Sequence, residues 1–110
     1  MSRKARFKSK PMLAWVHSFD CCIGVGCGGP IQAHHLLRPW IGTRGMAMKA
    51  DDRNLVPLCM HHHHELHFIF GSEEKFFEHH KGSPSYGREL AEMLWIEAIH
   101  TGVIRDHEIP

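Results

Sequence analysis

None of the apolar runs in this sequence approaches the ~20 residues of a membrane span. Basic residues 1–10 are not followed by the apolar stretch of a secretory signal. A soluble, cytoplasmic protein with no membrane partner is therefore expected. Net charge is almost nil, +1 with histidine neutral, so any attraction for a polyanion has to come from how charge is distributed. Internal repeats and low-complexity tracts are missing too, apart from one run of four histidines, and that run is too short and too central to be an affinity tag. What is present is 43% hydrophobic content in 110 residues, enough for one compact domain without room for a second sizeable core.

Charge is divided unevenly. Residues 1–53 carry nine Lys/Arg against three acids, and residues 54–110 carry four against nine. One basic and one acidic face suit a protein that turns one side toward a nucleic acid. Residues 1–10 read as a basic flexible arm and residues 11–110 as a single domain. For the arm, a polyanion contact and a merely solvated tail remain equal alternatives.

Pro11 suits the first turn of a short helix over 12–19, with Leu13, Trp15, Val16 and Phe19 available for packing. Residues 21–30 are too glycine-rich for regular structure. A strand is expected over 31–37, a long loop over 38–52 and a short edge strand over 54–58, where Pro57 limits pairing. A helix from about Met60 to Phe70 closes at Gly71. Ser72 starts another, with Glu73 and Glu74 against its positive end and Phe76 and Phe77 buried. Ser83-Pro84 opens a last helix, whose Leu90, Met93, Leu94 and Ala98 keep one apolar face and which Gly102 ends. The fold class is α+β.

Twelve histidines are the strongest anomaly, and seven of them fall at His34-His35 and at positions 61–64 and 67. His63 and His67 are one helical turn apart, so their imidazoles share a face and can hold one cation. Neighbours in a strand point to opposite faces. One of His34 and His35 can thus complete the metal site while the other faces a substrate. Three protein ligands leave a position open, as catalytic rather than structural sites do. His17, His79, His80, His100 and His107 show no such spacing and read as surface residues.

Four cysteines in an intracellular chain point to metal or buried thiols before disulfides. Cys22, Cys27, Cys59 and His62 can form a closed Cys3His zinc site that clamps the glycine-rich knuckle to the start of the metal-binding helix. Such a clamp matters where the core is thin, because zinc supplies folding free energy. Cys21 can replace Cys22, and His61 or His64 can replace His62. Buried thiols, or a Cys22–Cys27 disulfide, are the alternatives.

Ala33-His34-His35, Asn54 and His63-x-x-x-His67 resemble the HNH, or ββα-metal, nucleases, which include the colicin DNases. There an adjacent histidine pair begins the motif, an asparagine sits mid-motif, and two histidines four apart end it on a helix. The longer pattern QAHHLLRP…GTRGMAMKADDRNLVPLCMHHHHELH is similar to phage and prophage HNH proteins related to the RecA-dependent nuclease Ref, over roughly residues 12–101. The sequence departs from many of these relatives at CCIGVGCGG, where they have a shorter Cys-x-x-Cys.

The resemblance implies a small ββα-metal core with a zinc knuckle and additional C-terminal helices. It implies that His34, His63 and His67 bind one catalytic divalent metal (Mg2+, Mn2+, Ni2+ or Zn2+), beside one structural Zn2+. His35 becomes the general base and Asn54 the residue that holds the loop and orients His35, although an asparagine can instead cap a turn. Arg38, Arg44 and Lys49, on the loop between the motif halves, are candidates for contacting DNA phosphates; solvent is the alternative for each. The expected activity is hydrolysis of DNA phosphodiesters in a bacterial or phage-infected cell, by a monomer or homodimer. Besides DNA, the likeness to Ref implies as partner a recombinase filament or another phage or host DNA-processing protein. No recognition helix is identifiable, so structure-directed, partner-directed or weakly specific cleavage is expected. The alternative is a non-catalytic zinc module that binds nucleic acid.

Overall fold

The computed structural model describes residues 6–25, 27, 29–43 and 49–110. Strands β1 (Ile31–His35) and β2 (Leu55–Cys59) form a two-stranded antiparallel sheet, with Ile31 opposite Cys59, His34 opposite Val56 and His35 opposite Leu55. Both strands are edges, so Pro57 is tolerated inside β2 despite lacking an N–H. Its carbonyl accepts from the Cys22 amide at 2.9 Å, which ties the knuckle to the sheet. β1 ends two residues short of the strand expected over 31–37, and β2 is displaced by one residue from the strand expected over 54–58.

Every residue of β2 is buried, because its two faces serve two apolar clusters. Val56 and Leu58 pack with Leu36, Leu66, Phe76 and Phe77. Leu55, on the opposite face of the pleat, packs with Met12, Val16, Leu94, Trp95 and Ile104.

Helix α1 (Lys10–His17) begins at Ser9, whose hydroxyl accepts from the Met12 amide at 3.2 Å, with Pro11 in the first turn. The arm expected to run to residue 10 is already fixed well before that point. Phe7 packs edge-on against Trp95, its carbonyl accepts from the Asp52 amide at 3.1 Å, and Ser9 is buried. Residues 1–5 lie outside the described residues.

Helix α2 (Met60–Glu65) starts at the residue that follows β2, capped by the Cys59 sulfur. The expected helix does close at Gly71, whose φ of 66° suits glycine. Its last five residues, Leu66–Phe70, however, wind as a π-turn, with the Gly71 amide donating to the Leu66 carbonyl. Such widened turns recur at functional sites.

Helices α3 (Glu73–Lys81) and α4 (Tyr86–His100) complete the α+β fold. Ser72 caps α3, and Phe76 and Phe77 are buried as expected. In α4 the buried stripe is Ala91, Leu94, Trp95 and Ala98. Met93, expected on that face, is 58% exposed, since it lies one residue off the stripe that Trp95 completes. No helix among the described residues is long and apolar enough to cross a membrane.

The α3–α4 approach depends on Gly87, where an added Cβ would stand 2.5 Å from the Phe77 ring. That ring is 1% exposed and has nowhere to retreat. Gly87→Ala is expected to destabilise the protein by about 1–3 kcal/mol through overpacking. The denaturant midpoint measures it, and an unchanged midpoint refutes the account.

Candidate metal centres

The register of the sheet sorts the histidine pair. His34 shares its face with Val56 and turns toward α2 and α3, while His35 turns the other way. Helix α2 and its π-turn then bring His63 and His67 over His34. The ligand atoms of His34, His63 and His67 all lie within 4.8 Å of one another, and the Nε2 atoms of His63 and His67 are 3.1 Å apart. Burial, and after it the nearby His34, His67 and Lys49, pushes the His63 pKa down to about 4. Burial followed by His34 lowers that of His67 as well. Both rings are therefore neutral near pH 7 and have lone pairs to offer a cation.

A cleft of about 280 Å³ opens on this cluster, lined by His34, His35, His63, His67 and Lys49 together with Gln32, Ala33, Leu36 and Leu37. His35 is outside the three-imidazole set but on the same cleft, and its Nε2 is 2.7 Å from the Asp52 carboxylate. Asn54 does not orient His35, contrary to expectation. Its Oδ1 accepts from the Trp40 and Ile41 amides and its Nδ2 donates to the Ile41 carbonyl and to Asp51, so it holds the loop alone. The side chain two residues earlier, Asp52, reaches His35 instead and also accepts from the Ser9 amide at 2.7 Å.

Burial by itself raises the Asp52 pKa, but the hydrogen bonds from His35 and Ser9, with the charges of His35 and Arg6, outweigh it and hold the carboxyl below its ordinary value. A lowered acid pKa stabilises the fold above the unfolded-state value, near ~3.9, and that stability is lost as pH falls through the folded-state value. Asp52→Asn is accordingly expected to cost stability at pH 7 and progressively less in acid. Denaturation curves of both proteins between neutral and strongly acidic pH check this; a difference that does not shrink on acidification refutes it.

A second carboxylate has contacts beyond those the sequence indicated. Glu73, taken as a helix-end charge, is buried, with Oε2 2.7 Å from His34 Nε2 and 2.6 Å from the Leu37 amide, and Oε1 2.9 Å from the Arg38 amide. Lys49 is exposed at the edge of the histidine cleft. Arg38 is not part of it: its side chain is 72% exposed and pairs with Glu74 at 3.1 Å, a contact of little energetic weight. Arg44 lies outside the described residues.

The thiols form a separate group at the other end of α2. Cys21, Cys27, Cys59 and His62 place their ligand atoms within 4.8 Å of one another, an arrangement that could hold a metal such as zinc. His62 Nδ1 is 3.2 Å from the Cys59 sulfur and 3.7 Å from that of Cys21. Cys21 therefore takes the place expected for Cys22. The latter donates its amide to Pro57 and turns its thiol into the apolar side, where burial, then the neighbouring Cys21, pushes it up to about 12. Its sulfur lies outside the group of ligand atoms that Cys21, Cys27, Cys59 and His62 bring together. All four cysteines are free, and the Cys22–Cys27 disulfide is not formed. His61 and His64, the other candidates for the fourth ligand, are exposed and outside the group. His80, expected at the surface, is instead half-buried beside His62 and hydrogen-bonded to Glu65.

Residues 1–99 match the family described as "Protein of unknown function (DUF968)", and the chain belongs to that family. Within 68 residues it is 35% identical to the uncharacterized protein YdfU of Escherichia coli (strain K12). That match covers 61% of this chain, and the chain spans only about 18% of the length of this curated relative. No solved structure matches the chain.

Proposed function

We propose that this chain is a metal-dependent endonuclease of the HNH, or ββα-metal, type that hydrolyses DNA phosphodiesters. The observation that carries the reading is the shared cleft: three clustered imidazoles and, beside them, a fourth imidazole tied to a carboxylate. A ligand set of three imidazole nitrogens fits a divalent transition metal and leaves positions free for water or a phosphate oxygen. Bound there, a divalent cation would polarise the scissile phosphate and neutralise the leaving oxygen.

The remaining work falls to side chains. Asp52 accepts from His35 Nε2, which fixes the tautomer and leaves Nδ1 as the basic nitrogen that takes the proton of the attacking water. Lys49, at the rim, supplies a cation for the phosphate's second negative charge. Zinc at Cys21, Cys27, Cys59 and His62 would act structurally, holding the knuckle against the start of α2. DNA processing in a bacterial or phage-infected cell, with a recombinase filament as a possible partner, is the setting this reading favours.

The thiol group and the basic first half of the chain also favour a second reading, a zinc-stabilised module that binds DNA without cutting it. Purified protein incubated with supercoiled plasmid and Mg2+, Mn2+, Ni2+ or Zn2+ separates the two. Nicked or linear product with at least one metal supports the nuclease. Retarded but intact plasmid under every metal supports the binding module and overturns the nuclease.

A further inference from the structure

Glu73 is the buried group that the proposed reaction leaves without a part. Two backbone amides, of Leu37 and Arg38, already donate into its two oxygens. As a carboxylate it has only acceptor capacity to offer the third neighbour, His34 Nε2 at 2.7 Å. That nitrogen must carry the ring proton, and the remaining lone pair of His34 is on Nδ1. His63 and His67, by contrast, bring their Nε2 atoms together at 3.1 Å.

We propose that Glu73 is a positioning residue for the histidine metal centre, fixing His34 to ligate through Nδ1 while His63 and His67 ligate through Nε2. The inference rests on the metal-centre part of the proposed function and adds to it which nitrogen of each ring is used and what sets the choice. The chain of contacts is short. The N-terminus of α3 holds Glu73; Glu73 holds the His34 ring and, through the two amides, the chain just beyond β1. Carboxylates placed this way behind a ligating imidazole raise its basicity and restrict its rotation.

Glu73→Gln tests the role because it keeps size while spoiling the acceptor set. If the amide oxygen takes the Oε2 position, the NH2 group faces the Arg38 N–H; if the NH2 group takes it, it faces both the Leu37 N–H and His34. Neither orientation satisfies all three donors.

The experiment uses the full chain carrying zinc at its thiol group, titrated with Co2+ and followed by the visible absorption of nitrogen-ligated cobalt. Glu73→Gln is expected to bind Co2+ about 10- to 100-fold more weakly than wild type, with its zinc content unchanged. Equal cobalt affinity in a folded variant overturns the role of Glu73 and leaves the metal centre standing. Absence of cobalt binding in the wild type overturns the metal centre itself and this inference with it.

A second measurement needs no variant and remains decisive if Glu73→Gln fails to fold. Long-range 1H–15N spectra of wild type with Zn2+ at the histidines report which ring nitrogen is protonated and which is coordinated. His34 is expected with Nε2 protonated and Nδ1 coordinated. Coordination through His34 Nε2 overturns the proposal.

Discussion

His35→Ala is expected to lower plasmid cleavage by about 10²–10⁴-fold, the usual contribution of a positioned general base. Metal uptake at either centre should be unchanged. The separation follows from the strand. His35 occupies the last position of β1 and shows the opposite face from His34, so removing it takes nothing from the three clustered imidazoles. Its side chain is 15% exposed, and among the described residues its one hydrogen bond is to Asp52. Truncation takes one hydrogen bond from the buried Asp52 carboxylate, whose other oxygen still accepts from Ser9, so its cost falls on stability and not on the metal ligands. Initial rates of nicking, with cobalt or zinc titrations alongside, provide the check. Wild-type cleavage by His35→Ala would remove this residue from the chemistry; loss of metal together with activity would place it among the ligands.

The largest effect on stability should come from Cys59→Ala, which is expected to lose bound zinc and cooperative folding together. Cys59 closes β2, is fully buried, and caps α2 by accepting from the His62 amide at 3.4 Å, besides its place in the thiol group. Structural zinc contributes about 10 kcal/mol or more in zinc-finger peptides. A small domain's entire margin is about 5–15 kcal/mol. Elemental analysis and thermal melts follow the loss, and a chelator should reproduce it in the wild type. Cys22→Ala is the matched control, expected to keep its zinc because that thiol is outside the group. A folded, cooperative Cys59→Ala protein refutes the structural role. Zinc loss in Cys22→Ala restores the ligand assignment that the spacing first suggested.

What could be read from the sequence follows from local geometry. A spacing of four on a helix makes His63 and His67 neighbours wherever the helix sits, and alternation along a strand parts His34 from His35. The cap at Ser72 and the stop at Gly71 are equally local. Cys21 and Cys22 could not be told apart, because consecutive residues in a glycine-rich knuckle follow no period. Their sides are set by a bond to Pro57, far along the chain. Asp52 and Glu73 were missed for a related reason. They meet their histidines across 17 and 39 residues, and Glu73 already had a local explanation at the start of its helix. For Asp52 a signal existed: an acid two residues before the motif asparagine is near enough to serve the same loop. The π-turn left no mark in the composition of residues 66–70.

The direct passage from β2 into α2 has a consequence for how this chain can change over generations. Elsewhere an inserted or deleted residue can be absorbed by a connecting loop, but between Cys59 and Met60 there is none. One added residue there would turn everything after it by about 100° around the helix axis. His62 would swing off the thiols and His63 and His67 off His34 in the same event. The length of this junction is thus under tighter constraint than the identity of most residues in it, so substitution rather than insertion or deletion is the variation this segment can tolerate.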